Sequence, residues 1–248
     1  MASVARTGLV LIAIFLLASN LHGQETCGEE VKLLLSPTQV QATIAALKSR
    51  GETHGRIYFY DTPGLELLAK GVILRLRESA EIDITVKLRP QSGERFLDPS
   101  GGSEGYKCEV DLSGGVENQS FSVQKRYVAA KVPKTGAELF QVLSEGQKKL
   151  IEDSKARIDW KRIMRIAEIQ STSWTARTKP PLGKLSLELW EWPNGSIFEV
   201  STKVALDGGQ STYVELQDLA KRKGLAFSTN QRSKTAIALE AITAAHQQ

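Results

Sequence analysis

The chain has 248 residues, 41% of them apolar and 24% charged, with 32 basic against 28 acidic side chains and a formal net charge of +4. These are the proportions of an ordinary globular protein, and they exclude wholesale disorder and a bundle of membrane-spanning helices. The basic surplus is too small for a nucleic-acid-binding surface, so no nucleic-acid partner is expected and any bound anion must be held by clustered charge.

Residues 1–23 differ from the rest. Arg6 precedes the apolar run "GLVLIAIFLLA" from Gly8 to Ala18, and "SNLHG" forms a polar exit of small residues, the pattern of a secretory signal peptide. The apolar run is well short of the roughly 20 residues that span a bilayer. The expectation is a mature domain over 24–248, secreted or periplasmic, with no stable membrane insertion after cleavage; the alternative is an uncleaved anchor. Removing the segment takes away one arginine and no acid, leaving 31 basic against 28 acidic residues and a balance of +3. Cys27 and Cys108 both lie in the mature part, and an oxidising compartment favours a disulfide between them. Two cysteines are too few for a four-thiolate zinc site, and His22, His54 and His246 show no ligand spacing. The sequons at Asn118 and Asn194 matter only in a eukaryotic secretory route.

In chain order, "EVKLLLS" from Glu30 reads as a strand. Ser36-Pro37 then begins a helix that Gly51 stops. "RIYFYDT" is a strand that ends in a turn at Asp61-Thr62-Pro63-Gly64, followed by a short amphipathic run. "GVILRLRES" and "DITVKLRP" form a hairpin about Ala80-Glu81-Ile82. Residues 91–105 carry no periodicity and read as a loop, and "YKCEVDLSG" is the next strand. Gly101-Gly102 and Gly114-Gly115 read as loops that precede no helix. Gly136 to Ile151 reads as one helix. "RIMRIAEIQSTSWTAR" and "KLSLELWEW" flank a hairpin at Pro180-Pro181-Leu182-Gly183, and Asn194-Gly195 turns the chain into "SIFEVSTKVA". The end, "STYVELQDLAKRKGL" and "KTAIALEAI", is helical. Eight or so antiparallel strands with helices in three places predict an α+β domain built on a closed antiparallel barrel with flanking helices.

Charged residues alternate with aliphatic ones along nearly every strand. Glu30 and Lys32, Arg75 and Arg77, Thr85 and Lys87, Lys107, Glu109 and Asp111, and Glu199, Ser201 and Lys203 take one parity; Val31, Leu33, Leu74, Leu76, Ile84, Val86 and Leu88 take the other. One explanation is an ordinary solvated face. The other is a barrel whose aliphatic parity is covered by helices and whose lumen is charged. Mixed cations and carboxylates suit the second, because guanidinium and ammonium groups hold phosphate oxygens while carboxylates hold a hard divalent metal.

A Glu-x-Lys opening, then "YFYDT", "LRLR", "TVK", "CEVD", "LELWE", "FEVSTK" and "STYVEL", resembles in order the CYTH domain of the triphosphate tunnel metalloenzymes, over about Glu29 to Leu239. The resemblance implies an eight-stranded tunnel, a triphosphate or polyphosphate ligand gripped by basic residues, Mg2+ or Mn2+ held by carboxylates, and hydrolysis of tripolyphosphate or an organic triphosphate, or cyclisation of ATP. On the matching positions, Lys32, Arg75, Arg77 and Lys87 would bind phosphate, with Arg165 (or Arg177) as the middle-strand arginine and Lys203 as an addition. Glu30, Glu109, Asp111, Glu188 and Glu199 would bind metal. The acidic positions are incomplete, since Gly28, Trp190 and Ser201 stand where the pattern has carboxylates. The alternative function is therefore a non-catalytic polyanion-binding protein with the same tunnel. Trp160, Trp174, Trp190 and Trp192 read as core or rim packing, and Lys221-Arg222-Lys223 as a solvated helix end.

Overall fold

The structure is a computed structural model that describes residues 27–91, 94–99, 101–128, 131–205 and 207–246. The expected signal peptide, with His22, lies outside the described residues. Nine strands close into one barrel: β1 (Gly28–Leu35), β2 (Arg50–Asp61), β3 (Val72–Glu78), β4 (Ile82–Leu88), β5 (Gly105–Ser113), β6 (Val116–Arg126), β7 (Met164–Arg177), β8 (Lys184–Trp192) and β9 (Gly195–Val204), in the order β1-β5-β6-β4-β3-β2-β7-β8-β9. The sheet is not wholly antiparallel as expected, because β1 and β5 pair in parallel at one seam. Among the described residues six α-helices flank it: α1 (Val40–Leu47), α2 (Glu66–Ala69), α3 (Gly136–Val142), α4 (Glu145–Asp153), α5 (Gly209–Arg222) and α6 (Lys234–His246).

Three local readings differ from expectation. Strand β6 has no counterpart among the expected elements, because its polar residues hide the apolar parity of Phe121 and Val123. Gly114 and Gly115 in fact make a two-residue hairpin turn into it, with φ of 61° and 78°, the left-handed pair that such a turn demands. The first helix is a 3-10 turn, Pro37–Gln39, running into α1, and it stops at Lys48 in the left-handed region, so that Gly51 already lies in β2. The helix expected over 136–151 is two helices. Thr135 and Ser144 each start a capping box, with Glu138 and Gln147 reaching back, so Ser144 satisfies the N–H groups of a new helix rather than continuing the old one.

The aliphatic parity faces outward and is covered. Val31, Leu33, Phe198, Val200 and Trp174 pack with α1 and α5 residues such as Leu47 and Leu216, while Leu74, Leu76, Ile84 and Val86 pack with Leu139, Leu150 and Ile151 of α3 and α4. Each such side chain contributes roughly 1.5–3 kcal/mol on burial. Gln147 pins α4 to the sheet by donating to the carbonyls of Ile84 and Val123. A third cluster lies on the inward parity: Leu34, Ile57, Phe59, Ile73, Ile169, Trp190 and Ile197 pack against Ala238, Leu239 and Ile242 of α6. Part of the lumen is thus filled by an apolar plug.

Candidate functional site

Cross-strand registers decide which charges meet inside. Glu30 stands opposite Asp111, Lys32 opposite Ser201, Arg75 opposite Thr85, and Glu188 opposite Glu199. The remaining space is a cavity of about 530 Å³, whose polar lining includes Lys32, Arg75, Thr85, Lys87, Arg89, Asp111, Glu199 and Lys234. The charged parity is therefore a lumen, and the sequence-level choice between a solvated face and a lined cavity falls to the cavity.

Asp111 is the hub. Its carboxylate accepts from Lys32 Nζ at 2.6 Å, Lys87 Nζ at 3.0 Å and Arg89 Nη2 at 3.2 Å. Burial opposes ionisation of Asp111, yet Lys32, Lys87 and Arg89 together hold it far below the usual carboxylate range. One carboxylate cannot serve three cations equally. Lys32 also meets Glu30 at 3.1 Å; burial works against its charge, but Asp111, Glu30 and Glu199 hold it above the ordinary lysine range. Lys87 is left with the smaller share, and burial lowers it to about 8, with Asp111 opposing and Lys32 and Arg89 reinforcing the fall.

Arg75 is less compensated still. Its Nη2 donates to Thr85 Oγ1 at 3.3 Å and its Nε makes no hydrogen bond. Among the described residues no carboxylate lies within ion-pairing distance of it. Burial, then the charge of Arg77, brings its guanidinium down to about 10. Arg77 itself is paired, donating to Glu188 at 2.7 Å. Toward the more exposed side of the lumen, Lys203 donates to Glu109 at 2.7 Å.

The five acidic residues expected to bind metal fall into two groups. Glu30, Glu109 and Asp111 offer oxygens that lie within 4.8 Å of one another, so these three can hold a metal ion, and an oxygen-only donor set suits a hard divalent cation. Glu188 and Glu199 are separate. Both are ion-paired to Lys234, the second at 2.7 Å, and Glu188 is held far below the usual range by Lys234 and Arg77 against the effect of burial. Ser201, which stands in for a carboxylate, donates to Glu30 at 3.1 Å. Glu29, beside the missing acidic position at Gly28, faces outward and accepts from the N–H of Gly209 at 2.8 Å, at the start of α5.

Of the expected phosphate-binding residues, Lys32, Arg75 and Lys87 line the cavity. Arg77 and Lys203 lie on the same parity and reach carboxylates of the lumen. Arg165 does not. A register shift between Phe59 and Tyr60 where β2 meets β7 changes the parity there, so Arg165 pairs with outward-facing Tyr60 and its guanidinium lies 5.1 Å over the ring of Tyr58. Arg177, at the exposed end of β7, does not line the cavity either.

Two lumen cations were not singled out from the sequence. Arg89 continues the parity of Thr85 and Lys87 past the end of β4, a signal present in "TVKLRP". It is held there by Gly71, which accepts from the Arg89 N–H at 2.7 Å; φ at Gly71 is 73°, and a Cβ would stand 2.1 Å from the Arg89 carbonyl oxygen. Lys234 is carried by a helix, where strand parity says nothing. Its place is set by Gln231, whose side chain accepts from Leu34 N at 3.0 Å and donates to Leu34 O at 2.7 Å, as if it were one more strand residue. Trp190 is fully buried on the inward parity, with Lys234 Nζ 4.6 Å over its ring.

Cys27 and Cys108 are joined by a disulfide across the parallel seam. No helix among the described residues is long and apolar enough to cross a membrane.

No family model and no curated protein matches the sequence. Solved structures do match the fold. One is a protein from Hippeastrum, described as an adenylyl cyclase candidate with a dominant triphosphatase activity: 20% identity, TM-score 0.58, over 84% of this chain and 93% of that one. Another is from Bacillus halodurans, described as an adenylate cyclase candidate: 14% identity, TM-score 0.56, over 85% of this chain and 97% of that one. Together with the closed barrel and its charged lumen, these likenesses show that the chain has the CYTH-type tunnel fold.

Proposed function

We propose that the lumen binds a linear triphosphate, inorganic tripolyphosphate or an organic triphosphate, and hydrolyses it with the help of a divalent cation, Mg2+ or Mn2+, at Glu30, Glu109 and Asp111. The observation that carries the binding half is Arg75, a half-buried residue whose Nε is buried without a hydrogen-bond partner and which has no carboxylate partner among the described residues, in a cavity it shares with Lys32, Lys87 and Arg89. A buried, unneutralised charge is costly, and a phosphate chain offers the paired oxygens that a guanidinium fork matches. Arg75 and Lys87 orient the chain, and Arg89, already braced by Ser233 at 2.7 Å, fixes its position relative to α6. When bound, the cation supplies positive charge against the negative charge that develops on the transferred phosphoryl group. The presence of a triphosphatase among structures of this fold supports the choice of reaction. Export is part of the proposal, and the Cys27–Cys108 disulfide supports it.

A second reading, binding without hydrolysis, is favoured by one observation: each of the five lumen carboxylates already faces an ammonium or guanidinium group, so a metal ion must compete with lysines. One experiment separates the two. Phosphate release from tripolyphosphate, ATP and thiamine triphosphate is measured with Mg2+, with Mn2+ and with chelator, alongside calorimetric binding of tripolyphosphate. Metal-dependent release supports hydrolysis. Binding that persists in chelator with no release under any condition supports the second reading, and absence of binding refutes both.

A further inference from the structure

Glu188 and Glu199 are directly opposed across β8 and β9, with side chains only 16% and 7% exposed. Like charges in that position destabilise a sheet, and buried carboxylates persist only with cations between them. The strands do not provide enough of them: Arg77 reaches Glu188 alone. The missing charge comes from the start of α6, where Lys234 Nζ bridges Glu188 Oε2 and Glu199 Oε1 and lies over the Trp190 ring. Two carboxylates closing on one cation from both sides is how proteins hold a hard metal ion, but here the cation is covalently attached. With Lys234 and Arg77 in place the group is neutral, two negative against two positive charges, so a divalent ion gains nothing by entering it. Lys234 also lines the cavity of Arg75, Lys87 and Arg89.

We infer that Lys234 is a tethered cation, taking the place between Glu188 and Glu199 that a second divalent ion would otherwise occupy, and binding the phosphate chain from a helix instead of from a strand of the barrel wall. The ligand half of this inference rests on the function proposed above; the occupancy half does not.

The test counts Mn2+ bound by the purified chain, by loss of the free-ion electron paramagnetic resonance signal. Lys234→Ala is expected to bind one Mn2+ more than wild type, Lys234→Arg the same number as wild type, and Lys234→Ala combined with Glu188→Gln and Glu199→Gln to lose the added ion. An unchanged count in folded Lys234→Ala overturns the inference. Should that variant fail to fold, Glu188→Gln and Glu199→Gln in the wild-type background decide: an unchanged count supports the inference, and a lower count, meaning that these carboxylates already hold metal, overturns it. Whether wild type starts from one Mn2+ or none tests the Glu30, Glu109 and Asp111 group instead, and leaves the increment intact. For the ligand half, Lys234→Ala should bind tripolyphosphate about tenfold more weakly in chelator and recover affinity when Mn2+ is added, a rescue that a merely structural lysine would not show. Unchanged affinity in chelator overturns that half.

Discussion

Replacing Arg75 by alanine should push stability and binding in opposite directions. Arg75 is brought down to about 10 by burial and by Arg77, some two to three pH units below an ordinary arginine; at about 1.4 kcal/mol per unit, holding the charge there costs about 3 kcal/mol. Alanine removes that cost and leaves a cavity in its place, which gives back a part of it. The net expectation for the unliganded protein is a gain of about 1 kcal/mol, or about 2–4 °C in melting temperature for a chain of this size. A phosphate chain that neutralises Arg75 recovers the burial cost on binding, so the variant should bind tripolyphosphate about 30- to 150-fold more weakly, equivalent to about 2–3 kcal/mol. Calorimetry in chelator measures the affinity, and thermal unfolding with and without ligand measures the stability. A variant that is destabilised by more than about 1 kcal/mol and binds tripolyphosphate as wild type does would refute the reasoning, because Arg75 would then be a packing residue.

Lys87, lowered to about 8, should lose its charge between pH 7 and 9, so tripolyphosphate affinity should fall across that interval instead of near the ordinary lysine value; Lys87→Met should flatten the profile. The same group makes a stability prediction. Its folded pKa is depressed, so between about pH 8 and 10 the unfolded chain binds more protons than the folded one, and stability of the unliganded protein should rise with pH through that window. Asp111→Asn leaves Lys32, Lys87 and Arg89 without their shared carboxylate; the expected loss is about 3–5 kcal/mol in thermal unfolding, partly restored by tripolyphosphate, and a loss below about 1 kcal/mol would contradict the hub assignment. Cys27→Ser with Cys108→Ser opens a link spanning 81 positions, and should cost about 4.5 kcal/mol by loop closure, measured in denaturant; equal stability of the two forms would mean that the seam holds β1 without it.

The alternation of charge and aliphatic residues showed which residues of β1, β3, β4, β5 and β9 share a face, because side-chain direction in a strand follows sequence with a period of two. Which parity faced inward was not readable, since an exposed face and a wet lumen have the same pattern; the helices that cover Leu74 and Leu76 decide it. Arg165 was misplaced for a different reason. A single bulge reverses parity for every residue beyond it, and nothing in "RIMRIAEIQ" marks where that shift falls. Lys234 escaped notice because its position depends on Gln231 mimicking a strand at Leu34, a tertiary hydrogen bond with no local signature. Strand β6 was missed because its polar residues obscure the alternation; the adjacent glycine pair carried the turn, and its left-handed geometry is explicit only in the backbone.

The parallel seam fixes an order of events during synthesis. Strand β1 leaves the ribosome first, but both its neighbours, β5 and β9, come much later. One side must wait for residues 105–113 and the other for residues 195–204, so the amino-terminal segment stays unpaired while hairpins such as β3–β4 and β7–β8 can form locally. Contacts of such long separation are closed late and slowly. The barrel cannot close before residues 195–204 have been made, and Lys32 has strands on both sides of it only from then on.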